Sequence, residues 1–385
     1  MLTPEELQAI SEGAEHIAEK LHMSIIRRFI KRLMARLSRK EKFIVTAIDK
    51  WQFEVLQEAG YLLEDIQKEV ARFTRLQSEE IKKAFESAGI KAIRYDNSVY
   101  KAVGLPEISI DRSPYMQRLM QRNYEATLGE FQNFTRTTAQ RTQQLFIEEC
   151  DNAYHLVTSG AVSHTQAVEE AVKRIVSDGV YVNYTDSSGN VYHRDTIETA
   201  TLRCVRTGTA QAAAEISLAR MDELGWDTIL VSAHLGARIG DGGQNPGNHF
   251  WWQGKFYSRS GSDKRFPPLS VTGYGTGEGL SGWNCRHSFG PGDGVHNPFE
   301  KFDSEENKKA YELSQRQRTL ERRIRKTKRE MVGLKAAAES AKDVDIKAAL
   351  ETDYQKKAAL LQRQNEHITL SVPKTTSNGC PIEYR

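Results

Sequence analysis

The chain has 385 residues, 39% hydrophobic and 27% charged, enough apolar material for a core beside a large solvated surface. A formal net charge of +3 is too small to announce a nucleic-acid binder from the total alone, so charge matters here only where it clusters. The four cysteines, Cys150, Cys204, Cys285 and Cys380, are far apart and form no CxxC, which fits reduced thiols made in a cytosol.

Thr3-Pro4-Glu5-Glu6 predicts a helix start rather than a secretory signal: Thr3 as N-cap, Pro4 in the first turn and Glu6 closing a capping box. Apolar stripes continue through Ile10, Ala14, Ile17 and Leu21, then Ile26, Phe29, Ile30, Leu33 and Leu37. They go on through Ile44, Ile48, Trp51 and Val55, and through Leu63, Ile66, Val70 and Phe73. These stripes predict three or four amphipathic helices with turns near Ser38-Arg39 and Ala59-Gly60. Arg27, Arg28, Lys31, Arg32, Arg36, Arg39, Lys40 and Lys42 form a basic run, read as a solvated face or as contact with nucleic acid or an acidic partner.

Residues 89–111 break the period and contain Gly104-Leu105-Pro106, a turn signature, so they are expected to connect two regions. Ser113-Pro114 opens another helix. Its half from Thr135 toward Phe146 carries little apolar stripe, which predicts exposure or packing against another chain. Ser163-His164 starts a helix to Ile175. Residues 180–193 have the pattern of a hairpin around the loop Asp186-Ser187-Ser188-Gly189-Asn190. Asp195 or Thr196 caps a long helix ending at Gly225, and 228–232 is a short apolar strand.

The segment 229–290 departs from helical pattern. It holds three of the five Trp and most of the grouped His and Cys among Gly turns, which predicts a loop-rich unit tied down by aromatic burial, with Trp252 and Trp283 inside. Helical pattern returns over 304–340 with Leu313, Leu320, Ile324, Met331 and Leu334, a spacing that suits a coiled-coil seam. Arg316, Arg318, Arg322, Arg323, Arg325, Lys326, Lys328 and Arg329 are expected on its outer face, where they would contact DNA or a partner protein. A second helix over 344–367, with Ile346, Leu350, Tyr354 and Leu361, completes a hairpin seamed through Leu320, Ile324, Leu334, Leu350 and Leu361. The tail from 371 is expected to be mobile. No apolar run is long enough for a membrane span.

His234, His249, Cys285 and His287 are the residue types that hold zinc, and Cys285-x-His287 could place two ligands together. The paired spacing of a structural zinc site is lacking, so no cofactor is expected. The preferred reading has these histidines donating to loop carbonyls, with Arg206, Arg238 and Arg286 bridging further carbonyls or carboxylates. The competing reading is a metal- or thiol-dependent hydrolase on the same four residues. Asp241 and Glu278 are isolated acids and make a poor nuclease. Gly277-x-Gly279-x-x-Gly282 spells GxGxxG without the strand and helix that a dinucleotide site needs.

Several motifs together resemble the phage minor capsid protein 2 family. They are Ser232-Ala233-His234-x-Gly236-Ala237-Arg238, then His249-x-x-Trp252-Gln253-Gly254-Lys255, Gly273-Tyr274-Gly275, and Asn284-Cys285-Arg286-His287-Ser288-Phe289. Arg203-Cys204-Val205-Arg206-Thr207 with Gln211, and Glu321-Arg322-x-Ile324-Arg325-x-x-Lys328-Arg329, are similar to that family as well. More distantly the chain resembles head morphogenesis proteins of Mu-like phages. Residues 239–248 form a longer link between Arg238 and His249 than the usual short Pro-containing one.

The resemblance implies a structural, non-enzymatic minor head protein of a tailed phage, made in the bacterial cytoplasm and resident in the virion. Its implied partners are the portal protein, the major capsid protein and packaged DNA, bound without regard to sequence, and no membrane. A sequence-independent DNA-binding protein acting in packaging or ejection is a further alternative. The expected fold is mainly α with a small α+β module. In order it comprises an N-terminal helical region (1–110), a long connecting helix (111–160), the α+β module (161–300), a basic helical hairpin (301–370) and a tail (371–385). The loop core is expected to consist of Arg206, Gln211, His234, Arg238, His249, Trp252, Trp283, Cys285, Arg286 and His287.

Overall fold

The computed structural model describes residues 1–371 apart from Lys42, Ile44, Val45 and Gly179. Lys42 of the first basic run, Ile44 of the third stripe, and the tail from 372 with Cys380 therefore lie outside the described residues. The fold is mainly α with a small α+β module. Long helices run α1 (Pro4–Leu37), α2 (Ile48–Ala102), α3 (Pro114–Thr158), α4 (His164–Asp178) and α5 (Ile197–Leu224), with α7 (Ser304–Ser340) and α8 (Val344–Ser371) at the C-terminal end. Between α4 and α5 stands the antiparallel hairpin β1 (Tyr181–Thr185) and β2 (Val191–Thr196). After α5 come β3 (Thr228–Val231), a one-turn helix α6 (His249–Trp252), β4 (Phe256–Ser258) and β5 (Phe289–Pro291). They make an antiparallel sheet in the order β4-β3-β5, with Leu230 opposite Phe256 and Gly290.

The caps expected from sequence are present. Thr3 Oγ1 accepts from the Glu6 amide while the Glu6 carboxylate accepts from the Thr3 amide, and Thr196 caps α5. Helix α1 stops at Ser38, and its Leu37 carbonyl accepts from His164 Nε2 at 2.7 Å, so the start of α4 closes the end of α1.

Two expected breaks are absent. Helix α2 runs 55 residues straight through Ala59-Gly60 and through residue 89. A glycine inside a helix costs about 1 kcal/mol, which the packing of so long an element outweighs. Gly89 has a packing reason to be glycine: a Cβ there would stand 2.9 Å from Ile110 Cδ1 and from Met120 Sδ. Its absence lets the 3₁₀ turn Ile110–Arg112 and the start of α3 lie directly on α2. The polar half of α3 is also buried within the chain rather than exposed or left for a partner. Thr135, Thr138 and Thr142 are buried, and the Thr135 and Thr142 hydroxyls donate to the carbonyls of Phe131 and Thr138, each at 2.8 Å. A hydroxyl satisfied by its own helix behaves as a small core residue, which a stripe of apolar letters does not reveal.

One core runs through the helices. It takes Leu21, Phe29 and Leu33 from α1, Trp51 and Ile66 from α2, and Phe131 and Phe146 from α3. Val168 and Val172 of α4, Ile197 of α5, Leu334 of α7, and Ile346 and Leu350 of α8 complete it. Within the C-terminal hairpin Leu334 and Leu350 are fully buried, whereas Leu320, Ile324 and Leu361 are only half-buried. The expected seam is thus corrected: it closes at the turn end, where the Ala-rich end of α7 also packs against α1 and α4.

The basic run of α1 finds its acids inside the chain. Arg28 pairs with Glu69, Arg32 with both Glu58 and Asp65, and Arg36 with Glu54, so α2 presents a complementary acidic stripe. The partly exposed pairs of Arg28 and Arg32 stabilise by about 0–1 kcal/mol each, whereas Arg36 is buried. Their effect is to set the register of α1 on α2 and to neutralise much of the run.

The deepest polar contact joins three helices. Glu198 of α5, 1% exposed, accepts from His22 Nδ1 of α1 at 2.8 Å and from Arg329 Nη1 of α7 at 2.7 Å. Burial pushes its carboxyl up, but His22 and Arg329 outweigh that and hold it down at about 2. A carboxylate held below its unfolded value contributes stability above that value and loses it as pH falls through the folded one. The contribution of Glu198 is therefore complete above about pH 4.5 and drains toward pH 2. Glu198→Gln leaves the Arg329 guanidinium buried without its countercharge, and we expect a loss of about 3–5 kcal/mol. Arg322→Gln on the exposed face should change stability by no more than about 0.5 kcal/mol. Urea unfolding of the two variants checks the contrast.

Candidate functional site

The module after α5 is organised by β3. Its centre is a second apolar cluster of Ile229 and Val231 with Trp252, Tyr257, Leu269, Leu280, Cys285 and Phe289, seated on Ala214 and Met221 of α5. Beyond β3 the backbone continues as a bonded track. The Ser232 amide donates to the Ser288 carbonyl at 2.9 Å, and the Ser288 amide to Ser232 Oγ at 3.0 Å. The Ser288 hydroxyl bonds Leu2, tying the start of α1 to β5. Trp252 is fully buried, and its indole donates to the Pro246 carbonyl at 2.9 Å, so the inserted 239–248 link is held by the tryptophan it precedes.

Trp283 corrects the expectation: it is 61% exposed. Ser281 and Asn284 both have positive φ (59° and 56°), and this reversal brings the Trp283 ring down over Gly277, where a Cβ would stand 2.8 Å from the indole. The letters GxGxxG have a backbone explanation here. A Cβ on Gly279 would lie 2.2 Å from the Gly273 carbonyl oxygen, and one on Gly282 2.5 Å from that of Gly277. These glycines allow two strands of loop to cross in contact.

The structure brings three of the four candidate ligands together. Cys285 Sγ lies 3.9 Å from His249 Nδ1 and 3.7 Å from His287 Nδ1, and the ligand atoms of all three residues lie within 4.8 Å of one another. Each imidazole is held from behind. His249 Nε2 donates to the Glu278 carbonyl at 2.9 Å, and His287 Nε2 to Gln253 Oε1 at 2.9 Å. Gln253 Oε1 also accepts from the His234 amide at 3.0 Å, which fixes the orientation of the amide. His234 stands one ring away, stacked on His287 at 4.6 Å with its Nδ1 on the Leu235 carbonyl.

Burial sets the charge states. It lowers His249 and His234 to about 4 and His287 well below its usual value, so all three rings are neutral at pH 7. Burial also raises the Cys285 thiol to about 11, against the opposing pull of surrounding backbone N–H groups. A sealed, neutral thiol is a poor nucleophile.

The remaining residues expected in the loop core divide. Arg238 does bridge loop backbone, donating to the Trp283 carbonyl at 3.3 Å. Arg206 is buried but turns to α1, donating to Gln8 Oε1 at 2.6 Å. Gln211 is exposed on α5 and stands outside the loop core. Arg286 is half-buried, and burial together with Arg318 and Arg206 lowers it to about 10.

The basic set on α7 is split in the same way. Arg316, Arg322, Arg323, Lys326 and Lys328 are exposed. Arg329 is buried on Glu198, Arg325 pairs with Glu15 of α1 at 2.7 Å, and Arg318 is half-buried with its guanidinium pushed down by burial. Helix α7 packs on α1 and α4 and reaches Glu198 of α5, so Arg325 and Arg329 meet carboxylates of other helices while Arg318 is simply drawn into the packing.

Sequence reasoning missed two residues that hold the module. One is Gln253, which lies within a quoted motif but has no charge or sulfur to mark it. The other is Asn307 of α7, 0% exposed. Its Oδ1 accepts from the Gly236 and Ala237 amides at 2.8 and 2.9 Å, and its Nδ2 donates to the Ala237 carbonyl at 3.0 Å.

The protein is thus a scaffold of long helices carrying a small, backbone-crossed β module with its sulfur and imidazoles sealed inside. The chain belongs to the phage minor capsid protein 2 family, which it matches over residues 2–368. It is also similar to a protein of Lactococcus phage LL-H described as a structural protein, with 26% identity over 223 residues, 55% of this chain and 56% of that one. The chain thus spans about half the length of that relative. No solved structure matches it. Membership of a phage capsid family implies a place in the virion. Among the described residues no helix is long and apolar enough to cross a membrane.

Asn307→Ala removes three hydrogen bonds and leaves the half-buried Gly236 and buried Ala237 amides unpaired. We expect a loss of about 2–4 kcal/mol and new protease cutting between residues 236 and 254. Urea unfolding with limited proteolysis checks both.

Proposed function

We propose that the protein is a structural minor head component of a tailed phage, held at the portal and the capsid interior. Its α7 face would lie against packaged DNA without reading sequence. Family membership supports the structural role. The observation that carries DNA contact is the set of cations left over once the core has taken its share. Arg316, Arg322, Arg323, Lys326 and Lys328 stay exposed on one helix. Arg322, Arg325 and Lys326 line a cleft of about 350 Å³ together with Arg194 and His193 of β2, and its two carboxylates, Asp195 and Glu198, are already paired with Arg203 and with His22 and Arg329. Cations on a rigid helix and a facing strand can meet a phosphate backbone from two sides, and such contact needs no base edges. In the first basic run α2 pairs Arg28, Arg32 and Arg36, while Arg27, Lys31, Arg39 and Lys40 stay exposed and, among the described residues, have no facing basic wall of this kind.

The hydrolase reading is disfavoured by the same geometry that makes the module rigid. Cys285 is 2% exposed and His287 0%, and Cys285 is neutral, so an incoming carbonyl or phosphate has no path to an activated sulfur.

The test is binding of duplex DNA as a function of salt. Each phosphate contact contributes about 0.9 to the slope of log K against log salt. Replacing Arg322, Arg323 and Lys326 by Gln should flatten the slope by about 2–3 and leave the unfolding midpoint in place. A slope unchanged by these substitutions, with folding intact, overturns the DNA-facing assignment. Phage carrying them should then be scored for head assembly and DNA content.

A further inference from the structure

The sulfur–imidazole cluster contains more lone pairs than protons. His249 Nε2 faces the Glu278 carbonyl and His287 Nε2 faces Gln253 Oε1, and neither oxygen can donate. The one alternative, a flipped Gln253 amide, is closed because the same oxygen already accepts from the His234 amide. Both rings therefore carry their proton on Nε2 and turn an unprotonated Nδ1 inward. Those two Nδ1 atoms face a single thiol, which has one proton and three acceptors for it, the third being the His287 carbonyl at 3.7 Å. The backbone offers the sulfur further positive ends. The His287 amide donates to Sγ at 3.4 Å, and the backbone of Ser281 and Gly282 pulls against the rise that burial imposes on the thiol. Amides directed at a sulfur together with imidazoles braced through their far nitrogens are the surroundings of a metal-bound thiolate.

We infer that Cys285 Sγ, His249 Nδ1 and His287 Nδ1 form a zinc site that clips α6 to the segment entering β5.

The dimensions fit. Zinc bonds of about 2.3 Å to sulfur and about 2.0–2.1 Å to nitrogen in a tetrahedron put sulfur and nitrogen about 3.5 Å apart. The two Sγ–Nδ1 separations, 3.9 and 3.7 Å, need only a few tenths of an ångström of contraction. One sulfur with two imidazoles is a donor set that selects zinc over magnesium or calcium. His234 does not supply a fourth ligand, since it is stacked on His287 with its Nδ1 engaged by Leu235. On binding, the Cys285 thiol gives its proton to solvent and the sulfur bonds as thiolate, a change favoured by the neighbouring Arg238 charge. With Cys285, His249 and His287 all nearly inaccessible, the metal is structural: it joins two loops 36 residues apart in sequence that otherwise meet through hydrogen bonds and rings.

The test uses the full chain, purified without chelator and dialysed against metal-free buffer. Elemental analysis is expected to find about one zinc per chain, and stripping it with a strong chelator should lower the unfolding midpoint. Replacing zinc with Co(II) should produce thiolate-to-cobalt charge-transfer absorption. Cys285→Ser should abolish that absorption, and His287→Gln should lower metal content at least tenfold. If either variant fails to fold, the wild-type cobalt spectrum decides by itself. A folded chain that retains no zinc and shows no charge-transfer band with Co(II) overturns the assignment.

Discussion

The buried carboxylate of Glu198 is the contact on which the arrangement of the long helices depends. Apolar stripes can bring α1, α5 and α7 together in many rotations, because hydrophobic burial is nearly indifferent to direction. A carboxylate with 1% exposure is not indifferent: it must meet His22 and Arg329 at hydrogen-bond distance or its burial is prohibitive. That requirement selects one register among helices that lie 176 and 131 residues apart in sequence. With α7 placed, Asn307 is delivered to the Gly236-Ala237 turn, and the β module is locked to the helical body.

The module solves a different problem. It has little regular structure with which to satisfy its backbone, and only three short strands. Its amides and carbonyls are answered instead by side chains that lie at its centre: Gln253, Ser232, Ser288, Trp252 and His249. Glycines at 279 and 282 let the loops cross where no side chain fits. The interior around Cys285 is closed, which is compatible with a bound ion.

Charge on the surface is what remains after the interior has been balanced. Arg28, Arg32 and Arg36 are answered by α2, and Arg325 and Arg329 by α1 and α5. The cations that stay on the outside of α7 therefore act as a field directed outward, opposite the β2 hairpin, rather than as structural pairs.

From sequence alone the mainly helical class, the capped starts at Thr3 and Thr196, the β1-β2 hairpin and the end of α5 at Gly225 were all legible. So was the family, through residues spread over several motifs. Each of these rests on local signals: period, cap chemistry and turn residues act within a few positions. The continuity of α2 through Gly60 and Gly89 was not legible, because a glycine that breaks a helix and one that admits a neighbour look the same until the neighbour is known. The burial of Thr135 and Thr142, the exposure of Trp283 and the capture of Arg329 by Glu198 were decided by tertiary structure for the same reason. Whether a residue is inside, and whether a charge is spent, depends on partners far along the chain. The four ligand-type residues were visible as letters. Only the fold showed that three of them converge with their protons turned away, because tautomers are set by the carbonyls behind the rings and not by the spacing between them.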